Sequence, residues 1–211
     1  WGVVGEVGPP PTFVKVGGRF PAALDGADRR ELDRLVELAL SAVGLDDWVA
    51  ALQFTLTADG WRAGEINPRV PGGQAVEMIR STTGWEPSLV AAEAALGRQG
   101  EPAPADAACG LYRSIVFEEA GRIDYDAAAV GSLGGLESPH PPFVEFDVAP
   151  GASVLPVGHP RGGAFGRIVL AGESPEQLER DLAHVMAQLA VRRVDEQVDE
   201  GSVDRAHTSC C

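Results

Sequence analysis

Between residues 25 and 44, apolar side chains recur at Leu32, Leu35, Val36, Ala39, Leu40 and Val43. That three-and-four spacing marks one face of a helix. Asp25 or Asp28 supplies a cap at its start, and Gly44 a stop. The opposite face, with Arg29, Arg30, Glu31, Asp33, Arg34 and Glu37, is a solvated one. The period then changes. Residues 48–57 are apolar and β-prone with Gln53 among them, Ala58-Asp59-Gly60 is a turn signal, and 61–67 return as a partner strand. This is the pattern of a β-hairpin. Two helices follow, over 74–83 and 88–98, separated by Gly84-Trp85-Glu86-Pro87. Pro87 suits the first turn of the second. Residues 1–24 read as strands and a loop.

A Pro- and Gly-bearing linker at 99–106 leads into a second stretch. Strands are predicted at 110–118, at 121–125 pairing with it, and at 142–149, 152–156 and 166–171, with a loop over 127–142. Ser174 and Pro175 then open a helix to about residue 191, with Leu178, Leu182, Val185, Met186 and Leu189 as its buried stripe. Strands covered by a helix predict an α+β class. The pattern divides the chain into 1–100, 107–192 and a polar, acidic tail over 193–211 that is expected to be disordered.

Charge narrows the function. The 211 residues carry 31 acidic and 17 basic side chains, a net charge of -14. That disfavours nucleic acid and anionic membranes as partners. Apolar content of 45% is ordinary for a globular chain. No apolar run approaches the roughly 20 residues of a membrane helix, and no secretory signal is recognisable. The expected location is cytoplasmic. Cys109, Cys210 and Cys211 show neither metal spacing nor a disulfide framework. Cys109, in an apolar run, is expected to be a buried thiol. The end of the chain, with His207, reads as a simple tail.

The candidate chemistry sits at the end of the hairpin, in Glu65-Ile66-Asn67-Pro68-Arg69 followed by Val70-Pro71-Gly72-Gly73. Side chains at alternate positions of a strand share a face. Glu65, Asn67 and Arg69 point the same way if the strand persists through Pro68. Gln53 on the preceding strand is hard to explain as packing, since a buried amide needs partners. A carboxylate and an amide beside a guanidinium fit Mg²⁺ with a phosphate: the ion takes oxygen ligands, usually with substrate phosphates among them. Arginine adds a planar fork for phosphate or carboxylate oxygens. The plainer reading is a turn and a solvated strand edge.

With Gln53, Glu65, Asn67 and Arg69 on a hairpin that runs through Gly72-Gly73 into a helix, the chain resembles the metal-binding end of ATP-grasp ligases. Within them it resembles the L-amino acid ligases, which join two amino acids using ATP. Segments 13–21, 67–79, 109–118 and 161–173 are similar to successive parts of those ligases, and the resemblance covers roughly 1–192. It implies the C-terminal half of an ATP-grasp fold, an antiparallel sheet with helices, plus a smaller C-terminal α+β lobe. It implies ATP and Mg²⁺ as cofactors and amino acids as substrates, and is compatible with a homo-oligomer. It assigns Gln53, Glu65 and Asn67 to the metal, Glu65 and Asn67 to the nucleotide through it, and Arg69 to catalysis through an acyl phosphate.

The match has departures. Many relatives carry glutamate where Gln53 stands, although the large subunit of carbamoyl phosphate synthetase looks similar in using glutamine. Many dipeptide ligases carry a histidine in the turn around Gly17-Gly18, and this chain has none there. Residue 1 is Trp, Lys15 is the only lysine, and no Walker-type phosphate loop occurs. The nucleotide half is therefore expected to lie outside these residues, and the chain alone to be inactive. Two other readings stand beside this one: another ATP-grasp enzyme, carbamoyl phosphate synthetase- or biotin carboxylase-like, and a non-catalytic remnant that binds a metal or a partner. Glu145 with Asp147 reads as a solvated pair, His140, His159 and His184 as loop or surface histidines, Arg161 as a loop arginine, and Glu6 with Lys15 as a cross-strand ion pair.

Overall fold

A computed structural model of the chain describes residues 5–7 (backbone only), 16–46 and 48–194. In chain order the elements are β1 (Gly5–Val7), β2 (Gly17–Phe20), α1 (Gly26–Ala42), β3 (Ala51–Thr57), β4 (Gly60–Asn67), α2 (Gln74–Thr83), α3 (Pro87–Ala95), β5 (Cys109–Ser114) and β6 (Gly121–Asp124). A single 3₁₀ turn (Ala129–Gly131), β7 (Phe143–Phe146), β8 (Ser153–Val154), β9 (Gly166–Gly172), α4 (Pro175–Leu189) and β10 (Arg192–Val194) follow. The class is α+β, with every described strand pairing antiparallel.

The main sheet has the order β1-β2-β5-β9-β7. β2 joins β5 from Gly17 opposite Arg113 to Phe20 opposite Gly110, so one sheet draws strands from both 1–100 and 107–192. Alternation along β5 divides its side chains between two layers. Cys109 and Leu111 face α4, where Leu178, Leu182, Val185 and Leu189 complete the largest core cluster with Ile168 and Leu170. On the other side Tyr112 joins Phe20, Val169 and the fully buried Met78 of α2. A Cβ on Gly110 would come 3.1 Å from the Met78 Cγ, so the helix seats closely because that position is bare.

α4 starts as its sequence predicts. Ser174 accepts a hydrogen bond from the Gln177 amide, and Pro175 holds the first turn. It also buries an unanticipated carboxylate. Asp181 is 2% exposed and accepts hydrogen bonds from the Glu137 and Ser138 amides at 2.8 and 3.0 Å. The Ser138 hydroxyl in turn donates to the Ala171 carbonyl on β9. The loop over 132–142 is thus fastened to the α4 layer by polar contacts.

Two expectations are corrected. The strand at Gly121–Asp124 does not pair with β5; it forms a separate sheet, β10-β6-β8. Its apolar residue Ile123 packs with Ile115, Val154 and Phe165 in a third cluster, just beyond the end of β5. α4 ends at Leu189, where Ala190 takes a left-handed φ of 49°, and the chain turns back as β10. Arg193 and Val194, placed in the tail by composition, therefore lie in a strand. The rest of the expected tail lies outside the described residues, as do Lys15, His207, Cys210 and Cys211.

α1 is capped by Asp25, whose carboxylate accepts from the Ala27 and Asp28 amides at 2.8 Å. Those N–H groups hold its carboxyl below the usual range. On its apolar face Leu32 is buried and Leu35, Val36, Ala39 and Leu40 are half-buried, while Leu38, off that face, and Val43 at the C-terminal cap are each 52% exposed.

Candidate functional site

β3 and β4 form a two-stranded sheet of their own. Thr57 pairs with Gly60 across the two-residue loop, and Gly60 takes the positive φ of 97° that glycine tolerates. The Thr57 hydroxyl donates to the Gly60 carbonyl and accepts from the Asp59 amide, which fixes the turn.

From the turn the pairing runs Leu56 to Trp61, Thr55 to Arg62 and Phe54 to Ala63, and then the register shifts. Gly64 is the extra residue of a β-bulge, and Gln53 pairs with Glu65 beyond it. Leu52 and Ala51 pair with Ile66 and Asn67. Paired residues share a face. Gln53, Glu65 and Asn67 therefore lie on one face of the hairpin, with Leu52, Phe54, Trp61 and Ile66 on the other. Bulges occur where a side chain is re-aimed. The signal was present in the sequence: apolar positions 61, 63 and 66 skip one step, and a glycine sits in the skip.

The strand ends at Asn67 and does not persist through Pro68. Proline supplies no N–H to a ladder, and the Arg69 amide turns back to donate to the Asn67 carbonyl at 2.8 Å. Arg69 thus stands on a bend after the strand, and the alternation argument does not place it on the Glu65 face. Its Nη1 donates to the Val70 carbonyl at 3.0 Å. The bend continues into Gly73, which takes φ 61° at the start of α2, where no side chain caps the first turn.

Trp48, absent from the residues the sequence singled out, ties the entry of the hairpin to its exit. Its indole N–H donates to the Pro68 carbonyl at 2.9 Å. The entry, the exit bend and α3 enclose an open cleft of about 470 Å³ lined by Trp48, Arg69, Val70, Pro71 and Ala91 among others. Only the structure brings Trp48 and Ala91 together, since 43 positions separate them in the chain.

The donor set fits a weakly held, hard cation. Glu65 is a carboxylate, Gln53 and Asn67 are amides, and among the described residues none of the three has a side-chain hydrogen-bond partner. No group of three His, Cys, Asp or Glu side chains in metal-binding arrangement occurs among the described residues. One carboxylate and two amides suit Mg²⁺ when phosphate oxygens complete its shell. Arg69 complements them. Arg19, Arg80, Arg167, Arg180 and Arg192 each meet a carboxylate. Arg69, exposed at the cleft, meets only the Val70 carbonyl among the described residues.

The other polar candidates have local roles. Glu145 pairs with Arg167 across β7 and β9. The His159 Nδ1 accepts from the Arg161 amide within its loop, and the His184 Nε2 contacts the Gly134 carbonyl. Cys109 is buried, as expected. No described helix is long and apolar enough to cross a membrane.

Comparison with known proteins extends this picture. No protein-family model matches the chain. An uncharacterised protein, y4rH, of Sinorhizobium fredii is 26% identical over 200 residues, which is 90% of this chain and 38% of that protein. Among solved structures, phosphoribosylglycinamide synthetase of Anaerococcus prevotii matches with a TM-score of 0.69 at 16% identity, over 92% of this chain and 49% of its own. L-amino acid ligase of Bacillus licheniformis matches with a TM-score of 0.68 at 20% identity, over 89% and 46%. N5-carboxyaminoimidazole ribonucleotide synthetase of Thermus thermophilus matches with a TM-score of 0.60 at 15% identity, over 93% and 48%. The chain thus spans about half the length of these ligases. Its antiparallel sheets and helices are those of a partial ATP-grasp fold.

Proposed function

We propose that this chain is the metal- and substrate-facing part of an ATP-dependent carboxylate-amine ligase that joins amino acids. The observation that carries the reading is the bulged hairpin, which gathers Gln53, Glu65 and Asn67 on one face and delivers just beyond them an arginine that meets no carboxylate among the described residues. In this reading Glu65, Asn67 and Gln53 hold the Mg²⁺ that accompanies ATP. When bound, that ion neutralises charge on the phosphate oxygens. Arg69 holds the anion at the reacting end, first the carboxylate and then the transferring phosphoryl group.

The reaction balances in two steps. A carboxylate oxygen of one amino acid bonds to the γ-phosphorus as the bond to the bridging oxygen breaks, giving an acyl phosphate and ADP. The amine of the second then bonds to the acyl carbon, phosphate leaves with the electron pair, and the nitrogen loses a proton. Phosphoryl transfer depends mainly on positioning and electrostatics, which are what this hairpin supplies.

The test is phosphate release on the polypeptide or complex that supplies the rest of the ATP-grasp fold, with and without pairs of amino acids. The expected result is release that requires an amino acid and yields a dipeptide, lowered by about a hundredfold in Glu65→Gln, as loss of a charge-stabilising group predicts. Release that no amino acid stimulates would overturn the ligase reading.

A further inference from the structure

The bend that carries Arg69 is held by three hydrogen bonds of unequal reach. The Arg69 amide closes it on the Asn67 carbonyl, and the Arg69 Nη1 extends only one residue on, to the Val70 carbonyl. Both bonds lie within residues 67–70, so they shape the bend without fixing where it points. The ladder cannot fix it either, because its last pair is Ala51 with Asn67, and Pro68 has no N–H to extend it. The third bond reaches outside. The Trp48 indole N–H donates to the Pro68 carbonyl across 20 positions of chain. Among the described residues no other hydrogen bond joins the bend to the hairpin entry. Core packing does not explain the ring, since Trp48 is 47% exposed and belongs to none of the three buried clusters. A half-exposed indole could leave its donor to water, yet this one is turned onto a backbone carbonyl. Trp61 on the same hairpin gives the contrast: its indole nitrogen is buried and has no partner among the described residues.

We infer that Trp48 is a positioning residue: its indole N–H fixes the bend against the hairpin entry and so sets the Arg69 fork relative to the face of Gln53, Glu65 and Asn67. The contacts form one chain, from the indole to the Pro68 carbonyl, along the backbone to Arg69, and from the Val70 carbonyl to the guanidinium. Because the fork is anchored within the bend, whatever orients the bend orients the fork. The consequence for turnover rests on the proposed ligase reading and deepens it by adding a residue that acts through Arg69. The hold on the bend does not rest on that reading. Trp48→Phe keeps an aromatic ring and removes the donor. A hydrogen bond of ordinary net strength corresponds to about twofold to tenfold in the balance between held and released bend.

Two measurements on the polypeptide or complex that supplies the rest of the ATP-grasp fold test this. The first is hydrogen–deuterium exchange read by mass spectrometry. Uptake over residues 66–72, where Pro68 and Pro71 carry no amide, should quicken about twofold to tenfold in Trp48→Phe, as loss of one hydrogen bond predicts. Uptake over residues 53–58 should stay unchanged, because the ladder is intact. Trp61→Phe removes an indole N–H that meets no described partner, and should leave uptake over 66–72 as it was. Unchanged uptake there in Trp48→Phe, or equal quickening in Trp61→Phe, would overturn the inference. The second measurement is a double-mutant cycle with Arg69→Lys on amino-acid-stimulated phosphate release. Trp48→Phe should lower turnover at least about threefold and leave the Michaelis constant for ATP within about threefold, and the double variant should fall within about twofold of Arg69→Lys alone. Losses that multiply would show that Trp48 does not act through Arg69. If the natural sequence shows no amino-acid-stimulated release, the ligase reading falls, and the exchange result by itself decides whether Trp48 sets the bend.

Discussion

Arg69, Asp181 and Cys109 each have a consequence that a single substitution or label can measure. Arg69 holds its fork at a bend, and lysine cannot reproduce a planar bidentate contact. Arg69→Lys is therefore expected to lower turnover at least tenfold while changing the Michaelis constant for ATP by less than about threefold, as read by steady-state kinetics. A raised constant with unchanged turnover would move Arg69 to ground-state binding. Asp181 satisfies two backbone amides from a buried position. Asp181→Ala leaves both without their acceptor, a cost of about 2–6 kcal/mol at roughly 1–3 kcal/mol for each unsatisfied group, measurable as a lower urea midpoint. Burial pushes the Cys109 thiol up, and the nearby Glu173 and Glu176 add to it. The folded state then keeps this proton longer than the unfolded chain does, so stability falls as pH rises past the ordinary thiol range. Iodoacetamide at mildly alkaline pH should leave the Cys109 peptide unmodified in the folded protein and label it in denaturant. Labelling at equal rates would contradict the burial.

At the scale of elements, the bulge at Gly64 is the feature to perturb. The residues on either side of it pair in regular alternation once the extra glycine is set aside: Ala63 with Phe54, then Glu65 with Gln53. Deleting Gly64 should keep the ladder and the melting temperature within a few degrees, because no paired residue is lost. It should also remove the local twist that aims Glu65. With Mn²⁺ and a nucleotide as a paramagnetic probe, the Asn67 side-chain amide signal should broaden in the natural sequence and far less in the deletion. Equal broadening would show that the bulge does not set the site. Elements with strong local signals were legible from sequence. The α2 range agrees with its predicted span, the cap of α4 is the predicted Ser174, and that of α1 is Asp25, one of the two aspartates that its sequence offers. What was not legible depended on partners distant in the chain. The pairing of β6 with β8 and β10 is one case, and the burial of Asp181 beneath a loop 43 residues upstream is another. The Glu65 and Asn67 alternation was readable, whereas the position of Arg69 turned on whether a strand survives proline.

Across the whole molecule several large apolar side chains are left uncovered. Leu38 on α1 and Val43 at its C-terminal cap, Leu56 on β3, and Leu89 and Leu96 on and after α3 are each 48–65% exposed. Where such side chains adjoin, exposed apolar surface is an interaction site or an aggregation liability. The 211 residues alone are expected to bind ANS and to scatter light at micromolar concentration despite a net charge of -14, with both signals reduced when the rest of the ATP-grasp fold is supplied. A clear, ANS-silent solution of the 211 residues would contradict this. The topology also sets an order of events. β2 has no second neighbour until β5 exists, some 90 positions later, and β6 lacks one partner until Val194 has been made. Long-range pairings of this kind are slow to form. On the ribosome, the hairpin of residues 51–67 can close as soon as it emerges, because its pairing is local. The site's polar face can therefore pair early on the nascent chain, before the sheet that supports the molecule, but an isolated two-stranded hairpin is marginally stable at best, so a chain released before Val194 would present an intermittently formed hairpin on an unfinished scaffold.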